Sequence, residues 1–219
     1  MSSRTEFPHS RSVPQGREEP ELAEWNPQAM ISCMATHDPR PARVIWTYSD
    51  YRGLPDDGNR YEIIDGDLHV TPAPTTTHQT VSKRIQLALM LQVEEPGQGI
   101  VFNAPIDVIF SETQAVQPDL LVVRSERRAI ISERGIEGAP DLVVEILSPS
   151  TETRDRTQKS KLYASHGVAE YWLVDCSAHA VEVLALAPEG YVRHRRYGPG
   201  ERVESEVFEV GIELDAVFA

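Results

Sequence analysis

The sequence predicts an α/β protein, with a mixed β-sheet packed by helices. Three observations support this fold class. A stretch from Thr76 to Glu94 has apolar residues at helical spacing, several later stretches are rich in Val and Ile, and a second helical stretch stands between two of these. From Thr76 the predicted order is helix, three strands, helix and strand, with additional β-hairpins outside this core.

Residues 1–45 are expected to form a disordered, Pro-rich tail, and residues 46–219 a single folded domain. The tail contains six prolines among Ser, Arg and Glu, so it cannot bury enough apolar surface to offset the loss of chain entropy. The remainder is long enough for one domain with a sizeable core. It begins with a short helix in WTYSDYRGL and a hairpin in YEIIDGDLHV that turns at Asp65 and Gly66.

The central and C-terminal elements follow from apolar runs and the residues that interrupt them. GIVFNAPIDVIF (99–110), VQPDLLVV (116–123) and APDLVVEILS (139–148) each predict a strand, with SETQA as a turn. A helix over residues 153–166 is expected to end at Gly167. EYWLVD, HAVEVLALA, GYVRHRRY and the acidic C-terminal stretch predict further strands.

Composition limits where the protein is expected to work. No stretch approaches the roughly 18 to 20 apolar residues of a membrane span, and no signal peptide is evident, so we expect a cytoplasmic protein without membrane contact. Cys33 and Cys176 lie far apart, which fits reduced thiols. The net charge of −13 opposes nonspecific nucleic-acid binding, and the basic clusters RSERR, RDRTQKSK and RHRR are expected to be solvated faces.

Glu145 lies in the middle of an apolar strand, which makes it the first candidate functional residue. A buried carboxylate costs several kcal/mol unless a cation, a metal ion or strong hydrogen bonds compensate it. Because side chains alternate along a strand, Glu145 should share a face with Asp141, away from the purely apolar face. Asp119 follows Pro118 near the start of the preceding strand, so two neighbouring strands each offer an acid.

The helix after this strand supplies the expected cation. One helical stripe carries Asp155, Lys159, Leu162, Tyr163 and His166, whereas Lys161 projects elsewhere. A surface pair between Asp155 and Lys159 is the alternative, but the requirement of Glu145 for a partner favours a lysine turned toward the acids. Two carboxylates and an inward lysine suit Mg²⁺-assisted hydrolysis of a phosphodiester.

These residues resemble the PD-(D/E)XK, or restriction-endonuclease-like, superfamily, and more closely its Uma-two family of restriction endonucleases. The matching words, in the order of the family, are YEIIDGDL (61–68), HQTVSKRI (78–85), VQPDLLVV (116–123), GIEGAPDLVVEILSPST (135–151), DRTQKSKLY (155–163) and GVAEYWLVD (167–175). They cover nearly all of the chain between Trp46 and Asp175.

The resemblance implies a restriction-endonuclease-like core and a metal-dependent endonuclease, with DNA as the expected nucleic acid, Mg²⁺ as cofactor and Mn²⁺ as its substitute. Asp119 and Glu145 match the two motif acids, expected to hold the metal with the backbone carbonyl of Ile146. Leu147 stands where the superfamily has its lysine, and Lys159 on the helix takes over the role of assisting the attacking water. A homodimer is expected from the habit of the superfamily and from the exposed hairpin edges.

Six further residues are candidates for an additional site role: Glu62, His78, Gln79, Asp141, Asp155 and Tyr163. Glu62 matches the family glutamate, although an acid on the polar face of a hairpin explains it equally well. His78 and Gln79 begin a helix, where capping competes with a phosphate contact. Asp141 fits a strand-entry residue or a support for the ligands, and Tyr163 fits a core aromatic as Trp172 does.

Other functions have less support in the sequence. A nuclease fold that binds DNA or a protein partner without cleaving is the main alternative, and the retained Asp119, Glu145 and Lys159 argue against it. A glycosidase would leave the lysine without a role. The spacing of Cys176 and His179 would suit zinc, but third and fourth ligands are missing nearby. Nucleotide-binding, zincin and hydrolase-elbow motifs are absent.

Overall fold

The computed structural model describes residues 43–54 and 58–219, so nearly all of the predicted tail over residues 1–45 lies outside the described residues. The N-terminal elements are α1 (Tyr48–Tyr51), β1 (Arg60–Ile64), β2 (Asp67–Thr71), α2 (Thr76–Leu89) with a π-helical continuation (Met90–Glu94), β3 (Gly99–Asn103), β4 (Val108–Ser111), β5 (Gln114–Val116) and β6 (Leu120–Arg124).

A 3₁₀ segment (Ser125–Ile130) leads to the later elements. They are β7 (Ile131–Ser132), β8 (Gly135–Ile136), β9 (Leu142–Ile146), α3 (Glu152–Arg154), a π-helical turn (Asp155–Lys159), α4 (Ser160–His166), β10 (Glu170–Asp175), β11 (Ala180–Ala187), β12 (Gly190–Tyr197), β13 (Arg202–Glu204), β14 (Gly211–Glu213) and α5 (Leu214–Phe218).

The main sheet has six strands among the described residues, in the order β12-β11-β10-β9-β6-β3. Strands β9 and β10 run parallel, and the other neighbours are antiparallel. A second sheet has the order β2-β1-β5-β4-β8-β7, and β13 pairs with β14. The chain order α2, β3, β6, β9, the α3–α4 helical segment and β10 confirms the predicted core of helix, three strands, helix and strand.

Strand β9 is buried on both faces because helices pack against each side of the main sheet. Leu142, Val144 and Ile146 belong to the core that also contains the apolar stripe of α2. Val143 belongs to the second core, with residues of α4 and β10. Glu145 shares the face of Val143, which is therefore also apolar, and the carboxylate is more deeply enclosed than the alternation argument predicted.

The hairpin and helix ends follow local sequence rules. Asp65 and Gly66 both have positive φ, 52° and 76°, as a two-residue hairpin turn requires. Thr75 caps α2 by accepting a hydrogen bond at 3.2 Å from the backbone N–H of His78. The second helical segment stops at Gly167, whose φ of 84° lies in the left-handed region that glycine adopts at little cost.

Three predicted strands differ in the structure. Residues 99–110 form β3 in one sheet and β4 in the other, because Pro105 cannot donate to a ladder and the chain crosses between sheets there. Residues 116–123 are likewise divided at Pro118 between β5 and β6. The acidic C-terminal stretch forms only the short strands β13 and β14 and ends in α5, since its apolar residues pack onto the main core.

Candidate active site

A pocket of about 450 Å³ opens where β9 and β10 end. One side is lined by residues of β1 and of the loop from β2 into α2, and the other by residues 147–152 and the π-helical turn. Seven of the sequence-predicted residues line it: Glu62, His78, Asp119, Glu145, Ile146, Asp155 and Lys159. The fold thus brings most of the predicted site to one place.

Lys159 projects from the π-helical turn into a group of buried carboxylates. Its Nζ lies 2.7 Å from Oε1 of Glu62, 2.9 Å from Oε1 of Glu145 and 3.6 Å from Oδ1 of Asp155. Tyr163, one turn further along, donates its hydroxyl to the same oxygen of Glu145 at 2.8 Å. Lys159 is 3% exposed and Glu145 4%, so the lysine faces the acids and not solvent.

Asp119, directly before β6, is held at both carboxylate oxygens. Oδ2 accepts a hydrogen bond from the backbone N–H of Ile146 at 2.9 Å and lies 3.0 Å from Nε2 of His78. Oδ1 accepts one from Nη1 of Arg60, also at 2.9 Å. Burial would raise the pKa of Asp119, but these three partners hold it below its ordinary value, so this carboxylate is ionised.

The charges around Lys159 do not balance. Burial alone would lower the pKa of Lys159, but the carboxylates of Glu145, Glu62 and Asp155 outweigh that effect and raise it. Burial raises the pKa of Glu145 and that of Asp155, and the attraction of Lys159 offsets this only in part. One lysine shared by three acids stays charged while the acids remain short of positive charge.

Two carboxylate oxygens in this group are buried without a hydrogen bond in the described part of the chain, Oε2 of Glu62 and Oδ1 of Asp155. Arg154 approaches Oε2 of Glu62 only to 3.6 Å, because its guanidinium donates to Oγ1 of Thr71 at 2.8 Å. Unsatisfied carboxylate oxygens beside a pocket indicate capacity for a further cation.

Three of the predicted candidates do not line the pocket: Tyr163 lies behind it, bonded to Glu145, and the other two are Gln79 and Asp141. Gln79 is exposed on α2 and does not line it. Asp141 lies just before β9, at the opposite end from the pocket, where it accepts a hydrogen bond from the backbone N–H of Arg124 at 2.9 Å and pairs with Arg127 at 2.8 Å. Asp141 therefore serves strand entry, because its partners belong to the neighbouring strand end and not to the other acids.

Three residues of the site were missed in the sequence: Arg60, Arg154 and Gln117. Gln117 donates its backbone N–H to Oε1 of Glu62 at 3.0 Å, which fixes the oxygen that Lys159 also binds. Arg60 stands two residues before Glu62 in β1, so strand alternation alone could have placed both on one face. No local signal could have found Arg154, whose contacts are with the distant hairpin.

The carboxylate oxygens of the pocket suit a hard divalent cation, although those of Asp119 and Glu145 already have partners within the protein. Among the residues that the structure describes, no three His, Cys, Asp or Glu side chains are grouped so as to hold a metal ion. The carboxylates of Asp119 and Glu145 nonetheless line one pocket, and their present partners are cationic or hydrogen-bond donors. Oxygen donors of this kind are the ligands that Mg²⁺ prefers.

Neither a zinc site nor a membrane span is found in residues 43–54 and 58–219. The ring of His179 stacks on Phe218, while Cys176 borders the pocket. No described helix is both long and apolar enough to cross a bilayer.

The mixed sheet flanked by helices, with this pocket at the ends of its strands, has the restriction-endonuclease-like fold. Residues 48–217 match the Uma2 family, described as "Putative restriction endonuclease", and the chain belongs to this family. It is 25% identical over 160 residues to "Uncharacterized protein slr1290" of Synechocystis sp. (strain ATCC 27184 / PCC 6803 / Kazusa), covering 73% of this chain and 83% of that protein.

A solved structure is similar in fold. It is the crystal structure of "a putative nuclease belonging to DUF820" from Anabaena variabilis ATCC 29413, with a TM-score of 0.66 and 22% identity. The match covers 78% of this chain and 97% of that one. At this identity the likeness establishes the fold, and the family match confirms the resemblance found in the sequence.

Proposed function

We propose that this protein is a metal-dependent endonuclease that hydrolyses phosphodiester bonds of nucleic acid, with DNA as the expected substrate. One observation carries the proposal. Two carboxylates, Asp119 directly before β6 and Glu145 in the neighbouring strand β9, line the same pocket as Lys159, whose Nζ lies 2.9 Å from Glu145. A structural ion pair would not require a second acid, a pocket and unsatisfied carboxylate oxygens beside it.

The carboxylates of Asp119 and Glu145, with the backbone carbonyl of Ile146, are the proposed ligands of Mg²⁺, for which Mn²⁺ can substitute. A bound divalent ion supplies positive charge against the phosphodiester and lowers the pKa of a water molecule. The excess of buried carboxylate over cationic charge supports such an ion, because a divalent charge would stabilise the ionised acids.

Lys159 acts in this proposal as a hydrogen-bond donor and not as a base, since its raised pKa keeps it protonated. An ammonium group has three N–H donors. Glu62 and Glu145 take two of them, and Asp155 is too far, at 3.6 Å, for a normal hydrogen bond. The third donor can orient a water molecule or stabilise charge on a phosphate oxygen in the pocket.

The surrounding residues position these groups. Glu62 and Tyr163 fix the Lys159–Glu145 pair, since Glu62 bonds to Lys159 and Tyr163 bonds to Glu145. His78 orients Asp119 from the start of α2, because an ionised carboxylate requires the ring nitrogen to carry the proton. These contacts limit the motion of the reacting groups, which is how positioning contributes to rate.

Cleavage assays test the proposal directly. Single- and double-stranded DNA and RNA are incubated with Mg²⁺ or Mn²⁺ and with wild type, Glu145→Gln or Lys159→Met protein. We expect DNA cleavage that each substitution lowers by at least about a hundredfold, the size of effect for one charge-stabilising donor in an active site. Glu182→Gln is a matched control, because Glu182 is also buried and paired with arginines but lies outside the pocket.

A binding module without catalysis is the second candidate, favoured by the way cationic side chains occupy Asp119 and Glu145. The same assays separate the two functions. Cleavage unaffected by Glu145→Gln would place the activity elsewhere, and nucleic-acid or partner binding without cleavage under either metal would support the binding module. The homodimer and the cytoplasmic location stay predictions, the former testable by sedimentation.

A further inference from the structure

Arg60 is the one cationic side chain described at Oδ1 of Asp119. Its Nη1 donates to this oxygen at 2.9 Å, and both side chains line the pocket. Asp119 is 6% exposed, whereas Arg60 is 20% exposed on the pocket wall. The arginine therefore has access to the space that a substrate would occupy, while the acid is enclosed.

The two oxygens of Asp119 differ in how firmly they are held. Oδ2 is bonded to the backbone N–H of Ile146 in β9 and to His78, the third residue of α2. Both partners are fixed by regular structure. Oδ1 is bonded to a long and partly exposed arginine side chain, which can leave without any change in the sheet. Oδ1 is therefore the oxygen of Asp119 open to exchange of its partner.

We propose that Arg60 is a positioning residue that exchanges partners: it holds Oδ1 of Asp119 in the metal-free protein, a divalent cation displaces it, and its guanidinium then binds a phosphate of the nucleic acid. This inference rests on the proposed function. Arg60 and the metal compete for one oxygen, so Arg60 weakens metal binding in the absence of nucleic acid and strengthens nucleic-acid binding once metal is bound.

The chemistry of arginine suits this exchange. A guanidinium is always charged, and its fork of donors matches carboxylate and phosphate oxygens alike. Arg154, the other arginine on the pocket wall, is less available, since its guanidinium donates to Thr71 and lies beside Glu62. Displacement of Arg60 leaves the contacts of Lys159 with Glu62, Glu145 and Asp155 intact, because Arg60 has no described contact with Lys159.

Metal titration measures the competition without relying on cleavage. Calorimetric titrations of Mn²⁺ compare wild type, Arg60→Gln and Arg43→Gln. Arg43 is the matched control. It pairs with Asp67 in β2, which forms a hairpin with the strand of Arg60, but Arg43 is exposed and lies outside the pocket. We expect Arg60→Gln to bind Mn²⁺ about threefold to tenfold more tightly than wild type, and Arg43→Gln to bind it as wild type does.

Nucleic-acid binding provides the second readout. Fluorescence anisotropy of a labelled DNA oligonucleotide is measured with Ca²⁺, a hard cation that also takes oxygen ligands. Here Arg60→Gln should bind at least about fivefold more weakly than wild type, since one phosphate contact is lost. Opposite changes in metal and nucleic-acid affinity distinguish partner exchange from a purely structural role, which would weaken both. Arg60→Lys should give effects of the same sign but smaller, and it replaces Arg60→Gln if that variant does not fold.

The outcomes also separate this inference from the proposed function. Metal binding that is unchanged or weaker in the Arg60 variants overturns the exchange while leaving a metal-dependent nuclease in place. Tighter metal binding with unchanged DNA affinity overturns the phosphate contact. Absence of metal binding in wild type and all variants overturns both proposals, whereas binding that emerges only in Arg60→Gln supports the competition strongly.

Discussion

Lys159 supplies the positive charge that three buried carboxylates share, and its removal should destabilise the protein. With Lys159→Met, Glu62, Glu145 and Asp155 lose the cation they contact. Breaking a buried ion pair from one side costs about 3 to 5 kcal/mol, because it leaves charge uncompensated. We expect a fall of this size in the free energy of unfolding, measured by urea denaturation without metal at about pH 8.

The pH dependence of this loss follows from Glu145. Its pKa is raised from 4.5 to about 8 in the folded protein, so the folded state binds more protons than the unfolded one and stability falls as pH rises through this interval. Without Lys159 the pKa of Glu145 rises further, so above about pH 7 the wild type begins to ionise Glu145 while the variant keeps it protonated, and the deficit should grow as pH rises from about 7 to 9. The exposed Lys161→Met should change stability by less than about 0.5 kcal/mol. A deficit that grows toward acid pH would contradict this account.

Lys159, Arg60 and Asp141 show how much of the site could be predicted from the sequence. A buried glutamate needs a cation, and this need together with the helical spacing identified Lys159, since the spacing alone fits a surface pair with Asp155 equally well. Arg60 was missed because its partner Asp119 is 59 positions away, and their contact depends on how the hairpin of the second sheet sits against the main sheet. Asp141 failed as a site candidate because alternation gives a face and not a position along the strand.

At the scale of elements, the N-terminus of α2 links helix stability to the site. Thr75 caps the helix through His78, and His78 bonds to Asp119. We expect Thr75→Ala to lower the free energy of unfolding by about 1 kcal/mol and to reduce cleavage, because the first turn loosens beside Asp119. Thermal or urea unfolding and cleavage rates of one set of proteins check both effects.

The control for this prediction retains the hydroxyl. Thr75→Ser keeps an oxygen in the same place and should behave as wild type in stability and cleavage. Equal losses in Thr75→Ser and Thr75→Ala would mean that the threonine methyl group and not the cap is what matters at this position.

Local rules predicted the elements better than they predicted their partners. The helix α2, the α3–α4 helical segment, the hairpin at Asp65 and Gly66 and the strands β9 and β10 follow from spacing, turn residues and apolar runs, whereas α5 was predicted as strand. The division of residues 99–110 between two sheets was not predicted, since Pro105 shows where a ladder stops but not which sheet the chain joins next. Sheet membership depends on contacts between distant segments, and a single sequence does not contain them explicitly.

At the scale of the whole molecule, the basic residues of β12 already have carboxylate partners within the protein. Arg193 pairs with Glu182 at 2.6 Å and Arg195 with Glu201 at 2.7 Å, in a chain whose net charge is −13. These ion pairs agree with the prediction that the cluster is a solvated face. They also protect an edge of the main sheet, because charged side chains discourage pairing with another strand.

Nucleic-acid binding should therefore depend weakly on salt. If contacts are limited to the pocket, about two or three phosphates are neutralised, and the slope of log affinity against log salt for a single strand should be about −1.4 to −2. The slope is measured by fluorescence anisotropy at fixed Ca²⁺ with KCl varied. Arg193→Gln serves as the control and should leave it unchanged, since that arginine already pairs with Glu182. A slope steeper than about −4, reduced by Arg193→Gln, would instead show that β12 contacts the nucleic-acid backbone and that its ion pairs open on binding.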